Sequence, residues 1–93
     1  MPTELALVCI LTHRGDDGAY WFMVDDAEST EKAERWYLKP HIRVVCRWSL
    51  ADYIGKRVRV TLRCAPYVFR TADGAQHEGV RATGVTNIKL NDQ

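Results

Sequence analysis

Arginine recurs at same-parity positions through the second half of the chain: Arg43 and Arg47, then Arg57, Arg59 and Arg63, with Arg81 further on. A strand sends successive side chains to opposite faces, so each set shares one outward row. Aromatic side chains are interleaved with them: Trp21 early, Trp36 and Tyr37 ahead of Arg43, then Tyr67 and Phe69 followed at once by Arg70. Guanidinium groups fixed along a groove neutralise successive phosphates, and flat rings accept stacked bases at roughly 1–3 kcal/mol for each base. The two residue types together are what holding a single strand of DNA or RNA requires. The candidate site is therefore Trp21, Arg43, Arg47, Arg57, Arg59, Arg63, Tyr67, Phe69, Arg70 and Arg81. Alternating arginine also keeps one face of any strand wet and its edge from aggregating, so a purely solubilising role fits the same pattern. Tyr20, Phe22 and Trp48 are read as core.

Other chemistries find little footing. Ser49, His13, His41 and His77 form no nucleophile pattern, and no glycine-rich loop precedes a helix. Asp16-Asp17 and Asp25-Asp26 fall in or beside turns, the ordinary place for solvated acids. The chain is not expected to be an enzyme. Cys9, Cys46 and Cys64 lie inside apolar strand patterns without zinc-ligand spacing. They are expected to be buried free thiols, and neither metal nor cofactor is implied.

The net charge of +1 conceals a division. Residues 1–34 hold eight acids against two bases, and residues 35–93 hold eleven bases against four acids. A polyanion partner for the second part is one reading. Attraction between the two parts across the fold is the other. The apolar run Leu5 to Leu11 is far short of a bilayer span and follows no positive segment, so the expected setting is the cytoplasm, with no membrane partner.

The elements that must position these residues are strands. Ninety-three residues suffice for one domain, 1–93, with one core. Leu5–Leu11 is apolar throughout, the pattern of a strand covered on both sides by a helix or a partner subunit. His13–Gly18 turns the chain into a second strand, Ala19–Val24. Asp25–Glu34 is acidic, has no apolar stripe, and is read as a loop. A third strand spans Trp36 to Trp48, interrupted by Pro40, which cannot donate to a ladder. Ser49 then caps a short helix, Leu50–Ile54, stopped by Gly55. Lys56–Cys64 alternates as the fourth strand, and a fifth follows the Asp73-Gly74 turn through Val80 to near Leu90. Three strands, a short helix and two strands give an all-β fold, a five-stranded OB barrel with strand order 1-2-3-5-4-1. A β-sandwich or SH3-like barrel is the competing class, and the helix between strands three and four separates them.

Several runs resemble the bacterial single-stranded DNA-binding protein family. They are His41-Ile42-Arg43-Val44-Val45, Leu50-Ala51-Asp52-Tyr53-Ile54-Gly55-Lys56, Val58-Arg59-Val60, and the turn Arg70-Thr71-Ala72-Asp73-Gly74-Ala75-Gln76, together about half the chain. The resemblance implies an OB fold and a single-stranded DNA or RNA partner. OB barrels also serve as protein-binding adaptors or inhibitors, the alternative function. The apolar first strand and aromatic second strand exceed what one small core consumes, so a homodimer or higher symmetric oligomer is expected.

Overall fold

The computed structural model describes residues 1–91. Its strands are β1 (Glu4–Arg14), β2 (Tyr20–Val24), β3 (His41–Val44), β4 (Arg57–Arg70) and β5 (Gln76–Leu90). They form one antiparallel sheet in the order β3-β2-β1-β4-β5. The sheet curls so that β3 meets β5, and the Val80 backbone N–H donates to the Trp36 carbonyl at 3.0 Å just ahead of β3. The expected circuit 1-2-3-5-4-1 is closed at β3–β5 by this contact and not by a strand ladder.

Alternation drives the closure. Leu5, Leu7, Cys9 and Leu11 of β1, Tyr20 and Phe22 of β2, Ile42 and Val44 of β3, and Val58, Val60, Leu62 and Cys64 of β4 fill the barrel with Val80 and Val85 of β5. Leu50 seals it, and its backbone N–H donates to the Tyr20 hydroxyl at 2.9 Å, so neither buried polar group goes unpaired. Cys9, Cys46 and Cys64 are free; Cys9 and Cys64 are buried, whereas Cys46 is only half-buried. Burial, with Asp26 and Asp25 nearby, pushes the Cys9 thiol up to about 12.

Two stretches differ from the sequence expectation. The acidic stretch read as a loop contains the α-helix α1 (Ala27–Arg35). Asp26 caps it by accepting from the Ser29 backbone N–H at 2.7 Å. Glu28–Lys32 and Glu31–Arg35 pair one turn apart, with the acid on the N-terminal side where the helix dipole favours it. The buried face of α1 is only Ser29 and Ala33, too small to show as an apolar stripe. Ser29 reaches beneath the helix, where its Oγ accepts from the Val8 backbone N–H at 2.8 Å. Val8, on the outward side of β1, is consequently buried, so the second cover demanded by this all-apolar strand comes from the chain's own helix.

The third strand is shorter than expected. Pairing with β2 ends at Val44, and the alternation that would bury Trp48 is not kept: Trp48 is 52 % exposed, which corrects its reading as core. The short helix expected next is a single 3-10 turn, η1 (Ala51–Tyr53), whose cap residue is Leu50 without a side-chain cap bond, and not Ser49, whose Oγ accepts from the Ala51 N–H at 3.4 Å. β4 runs past the expected Cys64 to Arg70, and the β4–β5 hairpin is paired from Val58–Leu90 out to Arg70–Gln76. The long hairpin stretches the molecule to 41 Å against 30 and 21 Å in the other directions.

Candidate nucleic-acid interface

Of the ten candidate residues, Arg43, Arg47, Arg63, Phe69 and Arg81 line the β3–β5 seam, and the other five lie off it. Along it run two clefts. One, of about 450 Å³, is lined by Val45, Cys46, Arg47 and Trp48 on one side and by Arg63 and Thr83–Val85 on the other. The second, of about 200 Å³, lies between Tyr37–Arg43 and Phe69 with Val80–Ala82. The linings meet at Ala82–Thr83, and both walls advance in the same chain direction. The clefts therefore form one groove between two segments running parallel.

Arg47 and Arg63 face each other across the first cleft, with Trp48 beside them. Among the described residues, neither arginine has a carboxylate within ion-pair distance, and the same holds for Arg81 in the second cleft. Arg43 also lines the second cleft but is already engaged: its Nε and Nη2 donate to Asp17 Oδ2 at 3.0 and 2.6 Å. Asp17 is itself oriented by the Ala19 backbone N–H, and that bond, with Arg43, holds its carboxyl below the usual carboxylate range. Trp21 pairs with Arg43 across β2–β3 and stacks on His13, centroids 6.1 Å apart and planes 6° from parallel. His13, Trp21 and Arg43 thus form a transverse row that ends at the groove.

An aromatic cluster occupies the far end. Tyr67 packs on Phe69 with ring centroids 4.6 Å apart, and Tyr37 lies 6.1 Å from Phe69 and 4.9 Å from His77. Phe69 sits between the two tyrosines and is half-buried by them, while Tyr67 and Tyr37 are 45 % and 44 % exposed. The accessible rings of this cluster are the tyrosines. Arg70, next along β4, points to the face opposite Phe69.

Arg57 and Arg59 are not part of the groove. They register against Ile10 and Val8 of β1, on the side covered by α1, and Arg59 lies roughly 13 Å along the strand from Arg63 at about 3.3 Å per residue. Arg57 Nε donates to Asp25 Oδ2 at 2.7 Å, and both arginines help to hold the Asp26 carboxyl below its usual range, after the larger contribution of Ser29. Here the two oppositely charged parts of the chain attract each other.

Sequence reasoning read Trp48 as core and left Tyr37 outside the candidate site, although that ring was noted among the aromatics ahead of Arg43. Trp48 was hidden by an alternation that reads on past the last paired residue, Val44, and Tyr37 fell within the stretch read as the third strand, where no helix ending was expected. Among the described residues, no group of three or more His, Cys, Asp or Glu side chains is placed to hold a metal ion. No described helix is long and apolar enough to cross a membrane.

Comparison with solved structures finds the same fold in Rim1, the mitochondrial single-stranded DNA-binding protein of S. cerevisiae. The TM-score is 0.58 and the identity 14 %, over 95 % of this chain and 91 % of that one. The fold is an OB barrel. No protein-family model matches the chain, and no curated protein matches it.

Proposed function

We propose that this OB barrel binds single-stranded DNA along the β3–β5 groove, without strong sequence preference and without catalysing a reaction. The observation that carries the reading is the meeting of Arg47, Arg63 and Arg81, none with a carboxylate partner among the described residues, with the exposed ring of Trp48 in one continuous groove. An unpaired guanidinium gains a phosphate without first giving up an internal partner, and an exposed indole beside it accepts a base. Arg43 serves differently. Its bond to Asp17 fixes its plane next to Trp21, making a platform rather than a free cation. That the solved structure sharing the fold is named as a single-stranded DNA-binding protein favours DNA over RNA.

Titrating oligo-dT while following tryptophan fluorescence tests the reading. Quenching is expected from Trp48, with affinity falling as salt rises at a log–log slope of roughly −0.7 per neutralised phosphate. Binding no tighter than millimolar at low salt would leave the protein-binding adaptor, a reading favoured by Val45 and Trp48 both being exposed on one wall of the first cleft.

A further inference from the structure

The segment that links α1 to β3 passes over the β4–β5 hairpin, and one residue in it has an unusual backbone. Tyr37 has φ of 60°, the one positive φ outside glycine among the described residues. It stands just past the α1 cap residue Trp36, where its N–H donates to the Glu34 carbonyl at 3.1 Å and the Leu38 N–H donates to the Ala33 carbonyl at 2.8 Å. This pair of bonds is the helix ending in which glycine is the favoured residue, because a Cβ at positive φ is crowded. A tyrosine is held there by the contacts its side chain makes. Its ring lies 4.9 Å from His77 and 6.1 Å from Phe69, and its Oη shares a 3.0 Å hydrogen bond with His77 Nδ1. The backbone beneath is clamped as well. The Trp36 carbonyl accepts from Val80, and a Cβ on Gly79 would stand 2.4 Å from that carbonyl oxygen, so only glycine lets the segment lie this close to β5.

Local backbone energy therefore opposes Tyr37, while contacts with two residues, His77 and Phe69, fix its ring at the mouth of the groove, 44 % exposed and 6.1 Å from a ring already covered by Tyr67. Packing alone would be served by a more buried side chain on an unstrained backbone. From this we infer that Tyr37 is a base-stacking residue: its open face receives a nucleobase of the single strand, and α1, Gly79 and His77 act on the ligand only by holding that ring in place. The inference rests on the single-strand reading above and deepens it, since it assigns a second base contact, on the link between α1 and β3, beside that of Trp48.

The full-length protein is titrated with oligo-dT at two salt concentrations, alongside Tyr37→Gly, Tyr37→Leu and Tyr37→Phe, each also followed through its melting temperature. Tyr37→Gly relieves the positive φ, so its melting temperature should match or exceed wild type while affinity falls roughly 5- to 150-fold, the loss of one stacked base. The slope against salt should not move, because no phosphate contact is removed. Tyr37→Leu, which keeps an apolar side chain without a π face, should lose affinity likewise, and Tyr37→Phe should restore it. Equal affinity of wild type and Tyr37→Leu overturns the assignment and reduces Tyr37 to packing, with the groove reading intact. A wild-type protein that binds no oligonucleotide at low salt overturns both.

Discussion

Two arginines on β4 with the same parity in sequence do different work. Arg57 is tied to Asp25 at 2.7 Å with both side chains about two-thirds covered, whereas Arg63 opens into the groove. Replacing Arg57 with alanine removes an ion pair and a stem that packs on the surface. It should cost about 0.5–1 kcal/mol, a few degrees of melting temperature in a domain of this size, and leave the salt slope of oligonucleotide binding unchanged. Replacing Arg63 should barely alter melting and should flatten that slope by about one phosphate. Thermal melts and two-salt titrations of both variants check the pair, and a salt slope that responds to Arg57 but not to Arg63 would mean the polyanion lies on the α1 face instead. The arginine row itself was legible in the sequence; its division was not. Which cations meet a carboxylate depends on where residues 16–26 fold back, and parity along one strand carries no information about that.

At the scale of elements, α1 shows how a helix can be hidden from a reading based on apolar stripes. Its buried positions, Ser29 and Ala33, are spaced one turn apart but are small, and one of them is polar. The stabilising signals were present in another form: Asp26 as cap, acid in the first turn, Lys32 and Arg35 in the last. Asp26→Ala should destabilise the protein by about 0.5–2 kcal/mol, measured by denaturant unfolding. The Asp26 carboxyl is held below its ordinary value chiefly by the Ser29 hydroxyl and backbone N–H. A depressed folded-state pKa means the contribution is complete above the unfolded value near 4 and is lost as pH falls through the folded value. The stability difference between wild type and Asp26→Ala should accordingly close below about pH 4 and stay constant from pH 5 to 8; a difference that survives in acid would show that the cap works through its shape and not its charge. The strands, by contrast, could be read directly, since Leu5–Leu11 and Val58–Cys64 alternate or saturate with apolar residues and their glycine turns sit where the chain reverses. β3 could not be bounded, because the apolar alternation runs on to Trp48 after the hydrogen-bonding partner strand, β2, has ended at Tyr20.

For the molecule as a whole, the apolar surface left after folding bears on assembly. The covered-on-both-sides pattern of β1 is met within the chain by α1 over Val8, so that position cannot also serve a partner. What remains on the outer face of β1 and β2 includes the cross-strand pair Ile10 and Met23, the first half-buried and the second exposed, beside half-buried Trp21. A two-fold contact is self-complementary, so a patch of this kind closes as a dimer when it meets its own copy near the axis. We propose a homodimer through this strip, leaving the β3–β5 seam free for the single strand. Light scattering at tens of micromolar, a concentration suited to ordinary interface affinities, should give about twice the chain mass of 10.7 kDa. Met23→Glu places one carboxylate on each side of the axis, so the two repel as well as losing their apolar contact, and the variant should run as a monomer with its melting temperature little changed at infinite dilution. A wild-type protein that is monomeric at that concentration, or a Met23→Glu variant that stays dimeric, would remove this strip as the interface; the second outcome would point to exposed Val45 and Trp48 instead, and oligonucleotide and partner copy would then compete for one groove.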